Sequence, residues 1–232
     1  MLCSFNGSRY GAALDVSVEL TLIEIDQIMS NMARRRPVFC SEADLQHELA
    51  MELRLRKPDQ QVRLEYPLGG DLRGAIDVLL LGERPLALEL KYLCKGLVAE
   101  VNGEQFTLRQ QSAHDIRRHD VCKDVARMEA FVQRTNYSAA VLVLSNDPAY
   151  WQARRRSDTV DAPFDIAEAK ELAGTLQWGA RAGAGTTRGR DVPLQLTGRY
   201  PLVWRDYSDL GVTAGRFRYL WIPVSAPGTE SR

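Results

Sequence analysis

Residues 75–92 read AIDVLLLGERPLALELKY. Two short apolar runs flank the turn residues GERP, so the segment predicts strands at about 75–81 and 86–92 joined as a hairpin. Strands this apolar need cover from other elements, which restricts the chain to folds that bury a sheet. Yet Asp77 interrupts the first run, and Glu89 and Lys91 interrupt the second. Side chains alternate along a strand. Glu89 and Lys91 therefore share a face with Ala87, while Leu86, Leu88 and Leu90 take the other, and Asp77 sides with Ala75 and Leu79. Antiparallel pairing would bring the three polar groups together near one edge of the sheet. Two carboxylates in a partly buried place repel, and desolvation disfavours their charged forms. Uncompensated, the cluster would cost several kcal/mol. A divalent cation with a preference for hard oxygen ligands relieves that cost, and Mg²⁺ suits it. Lys91 would then hold a water or, with a lowered pKa, help deprotonate it. The alternative is a structural salt bridge between Lys91 and Asp77 or Glu89.

The flanking sequence predicts how the hairpin is covered. Residues 21–33 have helical spacing, and Pro37 ends that element. Ser41 is a fitting N-cap, with Asp44 three residues on, for a second helix that stops before Pro58. Residues 62–68 read as a strand and GGDLRG as a turn. Residues 93–110 read as loop or irregular hairpin. A long helix is expected from Gln111 to Val132, with Val121, Val125, Met128 and Val132 on its packing face. Residues 139–145, AAVLVLS, are wholly apolar, as in a strand covered on both sides. LVWRDYSD and FRYLWIPV read as late strands, and GARAGAGTTRGRD at 179–191, ahead of both, as a flexible, basic, Gly-rich loop. The expected class is α/β in the mixed, α+β sense: a mixed sheet flanked by helices.

Asp77 in GAIDVLLL and Glu89-Leu90-Lys91 in ALELKY resemble the signature of the PD-(D/E)xK nuclease superfamily, the restriction-endonuclease-like fold. The proline of that signature is replaced by Ile76. The resemblance implies an αβββαβ core, covered here by about residues 41–146, with a β-rich C-terminal extension over about 147–232, all in one domain. It also implies Mg²⁺-dependent phosphodiester hydrolysis, with Mn²⁺ able to substitute. The catalytic set would be Asp77, Glu89 and Lys91, acting on nucleic acid with DNA as the expected substrate. The stretches SEADLQHELA, ELKY, DIRRHDVCKDVARME, LSNDPAYW, WRDYSD and FRYL are similar to a group of bacterial restriction-like proteins of unassigned role.

Relatives in that superfamily often add a metal ligand from the first core helix, where Glu42 and Glu48 are the candidates. Leu45, Leu49 and Leu53 define the buried stripe of that helix; Glu42 and Gln46 fall within it, and Glu48 lies roughly 100° from its centre. Glu42 is preferred as the third metal ligand beside Asp77 and Glu89, with Gln46 next to it. The alternative for Glu42 is a first-turn acid favoured by the helix dipole. Gln111, four residues before Asp115, is a further candidate near the site or substrate. Asp120, Lys123, Asp124 and Arg127 have the spacing of a surface ion-pair ladder.

Composition limits the rest. Lys+Arg and Asp+Glu both number 30, so nucleic-acid binding must rest on local patches rather than net charge. Arg34–Arg36 and Arg154–Arg156 are the two basic runs, each as readily a solvated helix end or loop. No apolar run reaches the roughly 18–20 residues that a membrane helix needs, and residues 1–11 lack a secretory pattern. Four scattered cysteines fit a reducing cytoplasm. Three histidines are too few for a histidine-rich metal site, no P-loop is present, and the four tryptophans read as core. A homodimer is compatible with cutting two strands. The competing reading is a binding module on the same fold that cuts nothing.

Overall fold

The computed structural model describes residues 22–68, 74–83, 85–135 and 137–224. The turn expected at 69–74 and the N-terminal segment lie almost wholly outside these. The described residues begin with helices α1 (Leu22–Arg35) and α2 (Glu42–Arg56). Ser41 caps α2 as expected: its Oγ accepts from the Asp44 N–H at 3.1 Å, and the Asp44 carboxylate reaches back to the Cys40 N–H at 2.9 Å. Strand β1 (Gln61–Pro67) pairs antiparallel with β2 (Ala75–Leu81), which pairs antiparallel with β3 (Leu86–Leu93).

Residues 93–110 are more ordered than their composition suggests. They hold a second hairpin, β4 (Leu97–Val101) and β5 (Glu104–Leu108). Asn102 and Gly103 both take positive φ, 53° and 82°. That pair of left-handed residues closes a two-residue hairpin without splaying the strands. Helix α3 (His114–Arg134) follows and leads to β6 (Ser138–Ser145), which lies parallel to β3 over its full length.

The C-terminal third is not peripheral. β7 (Glu171–Leu176) and β8 (Leu194–Pro201) form a separate two-stranded sheet, with the short helix α4 (Ala184–Thr187) between them. β9 (Trp204–Asp209) and β10 (Arg216–Val224) instead enter the main sheet, whose order is β1-β2-β3-β6-β10-β9. The stretch expected to close the core at about residue 146 therefore stops with one edge of β6 still open.

Two apolar cores cover the two faces of this mixed sheet. One gathers Ile28 and Met32 of α1, Leu45, Leu49 and Leu53 of α2, the even-numbered β3 residues Leu86, Leu88 and Leu90, and Phe106 of the inserted hairpin. The other packs Val121, Val125, Met128 and Val132 of α3 against Ala87, Val141 and Val143. β6 contributes alternate residues to both, as its continuous apolar run requires. Trp151, Trp178, Trp204 and Trp221 are all buried. Among the described residues, no helix is long and apolar enough to cross a membrane.

Candidate active site

The site arises where two paired strands part. β2 and β3 stay in register from Leu80–Leu86 to Val78–Leu88 and then separate. Beyond Leu88, β3 still needs partners on that side, and side chains supply them. Asp77 Oδ2 accepts from the Leu90 N–H at 2.6 Å. Lys91 Nζ donates to the Leu90 carbonyl at 3.0 Å. Glu42 Oε2, from the first turn of α2, accepts from the Tyr92 N–H at 2.8 Å. Gln111 Nε2 donates to the Tyr92 carbonyl at 3.1 Å. Gln46 steadies the far side, donating to the Asp77 carbonyl at 2.7 Å and to Glu65 Oε1 at 2.8 Å. Four of the six residues singled out from sequence thus converge on one strand edge, and Gln46 braces the facing strand β2.

The sixth, Glu89, turns toward α3. It is 1% exposed, and its Oε2 is ion-paired with Arg127. Its Oε1 is buried with no hydrogen-bond partner among the described residues. Lys91 also faces α3, with Nζ 2.8 Å from Asp124 Oδ2. Asp124 Oδ1 in turn lies 3.5 Å from Arg127. The charges alternate through Lys91, Asp124, Arg127 and Glu89, tying both polar residues of β3 to one helix. Gly74 helps make room. It takes φ +101°, and a Cβ there would stand 2.9 Å from Arg127 Nη1.

Several expectations need correction. Asp124 and Arg127 are not rungs of a surface ladder: they anchor Lys91 and Glu89 from a buried or half-buried position. Their side of α3 could have been read from spacing, because Asp124 stands one turn from both Val121 and Met128 of the packing stripe. Gln111 is not helical. α3 begins at His114, after Ala113 in a left-handed conformation, and Gln111 belongs to the segment hydrogen-bonded to Cys94. Glu48 points away from the site to Arg35, at 2.8 Å. Glu42 sits beside β3, yet among the described residues no three His, Cys, Asp or Glu side chains are gathered to hold a metal ion. One Glu42 oxygen is engaged by the Tyr92 N–H, as one Asp77 oxygen is by the Leu90 N–H.

Electrostatics separates the roles further. Burial, and then the Glu42 and Glu65 charges, push the Asp77 carboxyl up to about 6, against the Leu90 N–H and Lys91. Burial and the neighbouring Asp77 push Glu89 up to about 8, despite Arg127. Burial alone would lower Lys91, but Asp124, Glu42 and Asp77 outweigh it and hold the ammonium up at about 12. Lys91 is thus a fixed cation near neutral pH.

Counting formal charges, Glu42, Glu65, Asp77, Glu89 and Asp124 outnumber Lys91 and Arg127. Two raised carboxyls beside the unpartnered buried Glu89 Oε1 are the signs of a site short of positive charge, although Arg127 Nε in the same cluster also lacks a partner among the described residues. A cation such as Mg²⁺, which binds through one or two carboxylates and keeps several waters, fits Asp77 and Glu89. A cleft of about 610 Å³ opens beside Lys91 and Glu42, between the start of α2 and the end of β5. No family model, curated protein or solved structure matches the chain.

Proposed function

We propose that this chain is a metal-dependent nuclease on a restriction-endonuclease-like core, hydrolysing phosphodiester bonds with DNA as the expected substrate. The observation that carries the reading is the Glu89 Oε1 atom, buried and unpartnered next to an Asp77 whose own carboxyl is held up. The order α2, β1, β2, β3, α3, β6 agrees with the αβββαβ core that the motif implies, with the β4–β5 hairpin inserted before α3.

Asp77 and Glu89 would hold Mg²⁺, or Mn²⁺ in its place. When bound, such a cation supplies positive charge to a phosphate and makes water more acidic. Lys91, which lines the cleft, would contribute a second positive charge that stabilises charge on a phosphate and orients water. Asp124 fixes the ammonium, and Arg127 fixes one oxygen of Glu89 so that the other stays free. Gln46 and Glu42 hold the α2 side by hydrogen bonds to Asp77 and Tyr92. Cutting both strands of a duplex would call for two copies related by two-fold symmetry.

The test is incubation of the protein with plasmid and Mg²⁺ or Mn²⁺, with and without EDTA. Metal-dependent cleavage is expected, and Lys91→Met should slow it by about 100-fold or more, the usual cost of removing one preorganised charge at a reacting phosphate or carbonyl. Full activity in that variant would remove Lys91 from the chemistry.

A second reading has its own support. Asp77 and Glu42 each satisfy a backbone N–H of β3, work that a non-cutting fold also needs. On that reading the chain is a binding module for nucleic acid or protein. Calorimetric titration with Mg²⁺ separates the two, because only the nuclease reading requires uptake that Asp77→Asn abolishes.

A further inference from the structure

We infer that Arg109 and Arg117 grip the phosphates of a nucleic-acid strand next to the phosphate presented to Lys91, an assignment that rests on the nuclease reading of the site. Both arginines line the cleft that contains Lys91 and Glu42.

Of the six arginines in the two basic runs visible in the sequence, four are paired with acids, and Arg34 bonds Ser30 and Asn31. Arg35 is bound by Glu48 and Glu52, and Arg36 by Asp44. Arg154 is bound by Asp161, and Arg156 by Asp158. The cleft arginines differ in lining the opening that contains Lys91. Arg109 is exposed and has no acid partner among the described residues. Arg117 meets Asp120 only at 3.8 Å, with 44% of its side chain exposed.

Their mountings are firm. Arg109 follows β5 directly, and the next two residues are pinned to the end of β3. Gln110 Oε1 accepts from the Gly96 N–H at 3.2 Å, and the Gln111 N–H donates to the Cys94 carbonyl at 2.9 Å. Arg117 stands in the first turn of α3, its N–H bonded to the Ala113 carbonyl at 3.0 Å. Two guanidinium groups on fixed backbone, lining the same cleft as the half-buried Lys91, match the spaced charges of a phosphodiester chain. With a net charge of zero, affinity must come from such local contacts. The inserted hairpin thereby acquires a purpose: β5 delivers Arg109 to the cleft rim.

The experiment measures binding of labelled, mixed-sequence duplex DNA, single-stranded DNA and RNA to the Asp77→Asn protein, at several salt concentrations and without divalent metal. Against that parent, Arg109→Ala and Arg117→Ala should each weaken binding several-fold, and the pair by about tenfold or more. For duplex DNA, the slope of log affinity against log salt should fall by about one per arginine removed. Arg54→Ala, at the opposite end of α2 from Glu42 and also exposed, should change nothing. Unfolding curves check that each variant is folded. The assignment is overturned if the double variant keeps the parent's affinity and slope, or if the parent binds none of the three nucleic acids. Arginine-dependent binding by a wild type that cuts nothing with Mg²⁺ would end the nuclease reading and leave this one standing. Cleavage indifferent to both arginines would do the reverse.

Discussion

Asp77→Asn should lose metal-dependent cleavage by at least about a thousandfold, yet unfold at the same temperature as the wild type or higher. The amide oxygen of Asn can still accept from the Leu90 N–H, so the capping contact of 2.6 Å survives. What disappears is an ionised carboxylate among like charges. The folded-state pKa of Asp77, about 6, lies above the ordinary value of 3.8. The folded protein therefore binds this proton more tightly than the unfolded chain does. Stability from that source is full below about pH 4 and is lost as the pH rises through 6. Asn has no such loss, so the difference between variant and wild type should widen over this window. Two pKa units correspond to about 3 kcal/mol at most. Asp77 is only partly buried, so solvent screening reduces this to about 1–2 kcal/mol. Melting temperatures between pH 4 and 7 give the measurement. Added Mg²⁺ should raise the wild-type melting temperature and leave the variant unmoved. A variant that melts well below wild type at pH 7, with no response to Mg²⁺ in either protein, would make Asp77 a structural cap and nothing more.

How much of this site was legible in sequence depended on distance along the chain. The β2–β3 hairpin obeys a period of two with few exceptions, so Asp77, Glu89 and Lys91 could be assigned to their faces before any coordinates were known. Glu42 and Gln46 followed from the helical wheel of α2, where a polar residue inside an apolar stripe stands out. The state of Lys91 was not legible. Its ammonium is held up by Asp124, which is 33 residues away in sequence and arrives only when α3 packs on the sheet. A set of charges at i, i+3 and i+4 usually faces water, and that general tendency concealed the inward turn of Asp124 and Arg127. Gln111 was misplaced for a local reason. No side chain caps the start of α3, so the sequence carries no start signal, and the expected start at Gln111 lies three residues before His114. The β4–β5 hairpin did carry its signal, Asn102-Gly103, within a stretch too mixed in polarity to read as strands.

The register of the C-terminal strands was the least local feature, and it leads to the second large effect. A chain ended after Asn146 retains every residue of the candidate site and all of the αβββαβ order, yet it should not fold. β10 pairs antiparallel with β6 from Arg218–Ser145 to Val224–Ala139, so its loss leaves the most apolar strand of the protein as an open edge. Phe217, Tyr219, Leu220, Trp221, Ile222 and Val224 are buried, and they contribute to both cores. Each large apolar side chain of this kind stabilises by about 1.5–3 kcal/mol. Six together match or exceed the 5–15 kcal/mol by which a domain is typically stable. The truncated chain should be insoluble, or should show no cooperative unfolding and no dispersed amide resonances. Ile222→Asp in the full chain is the milder version, placing one unpaired carboxylate in the α3 core beside β6, and it should also abolish cooperative folding. A soluble, cooperatively folded 1–146 fragment would mean that β10 is an accessory strand and that the sheet closes without it.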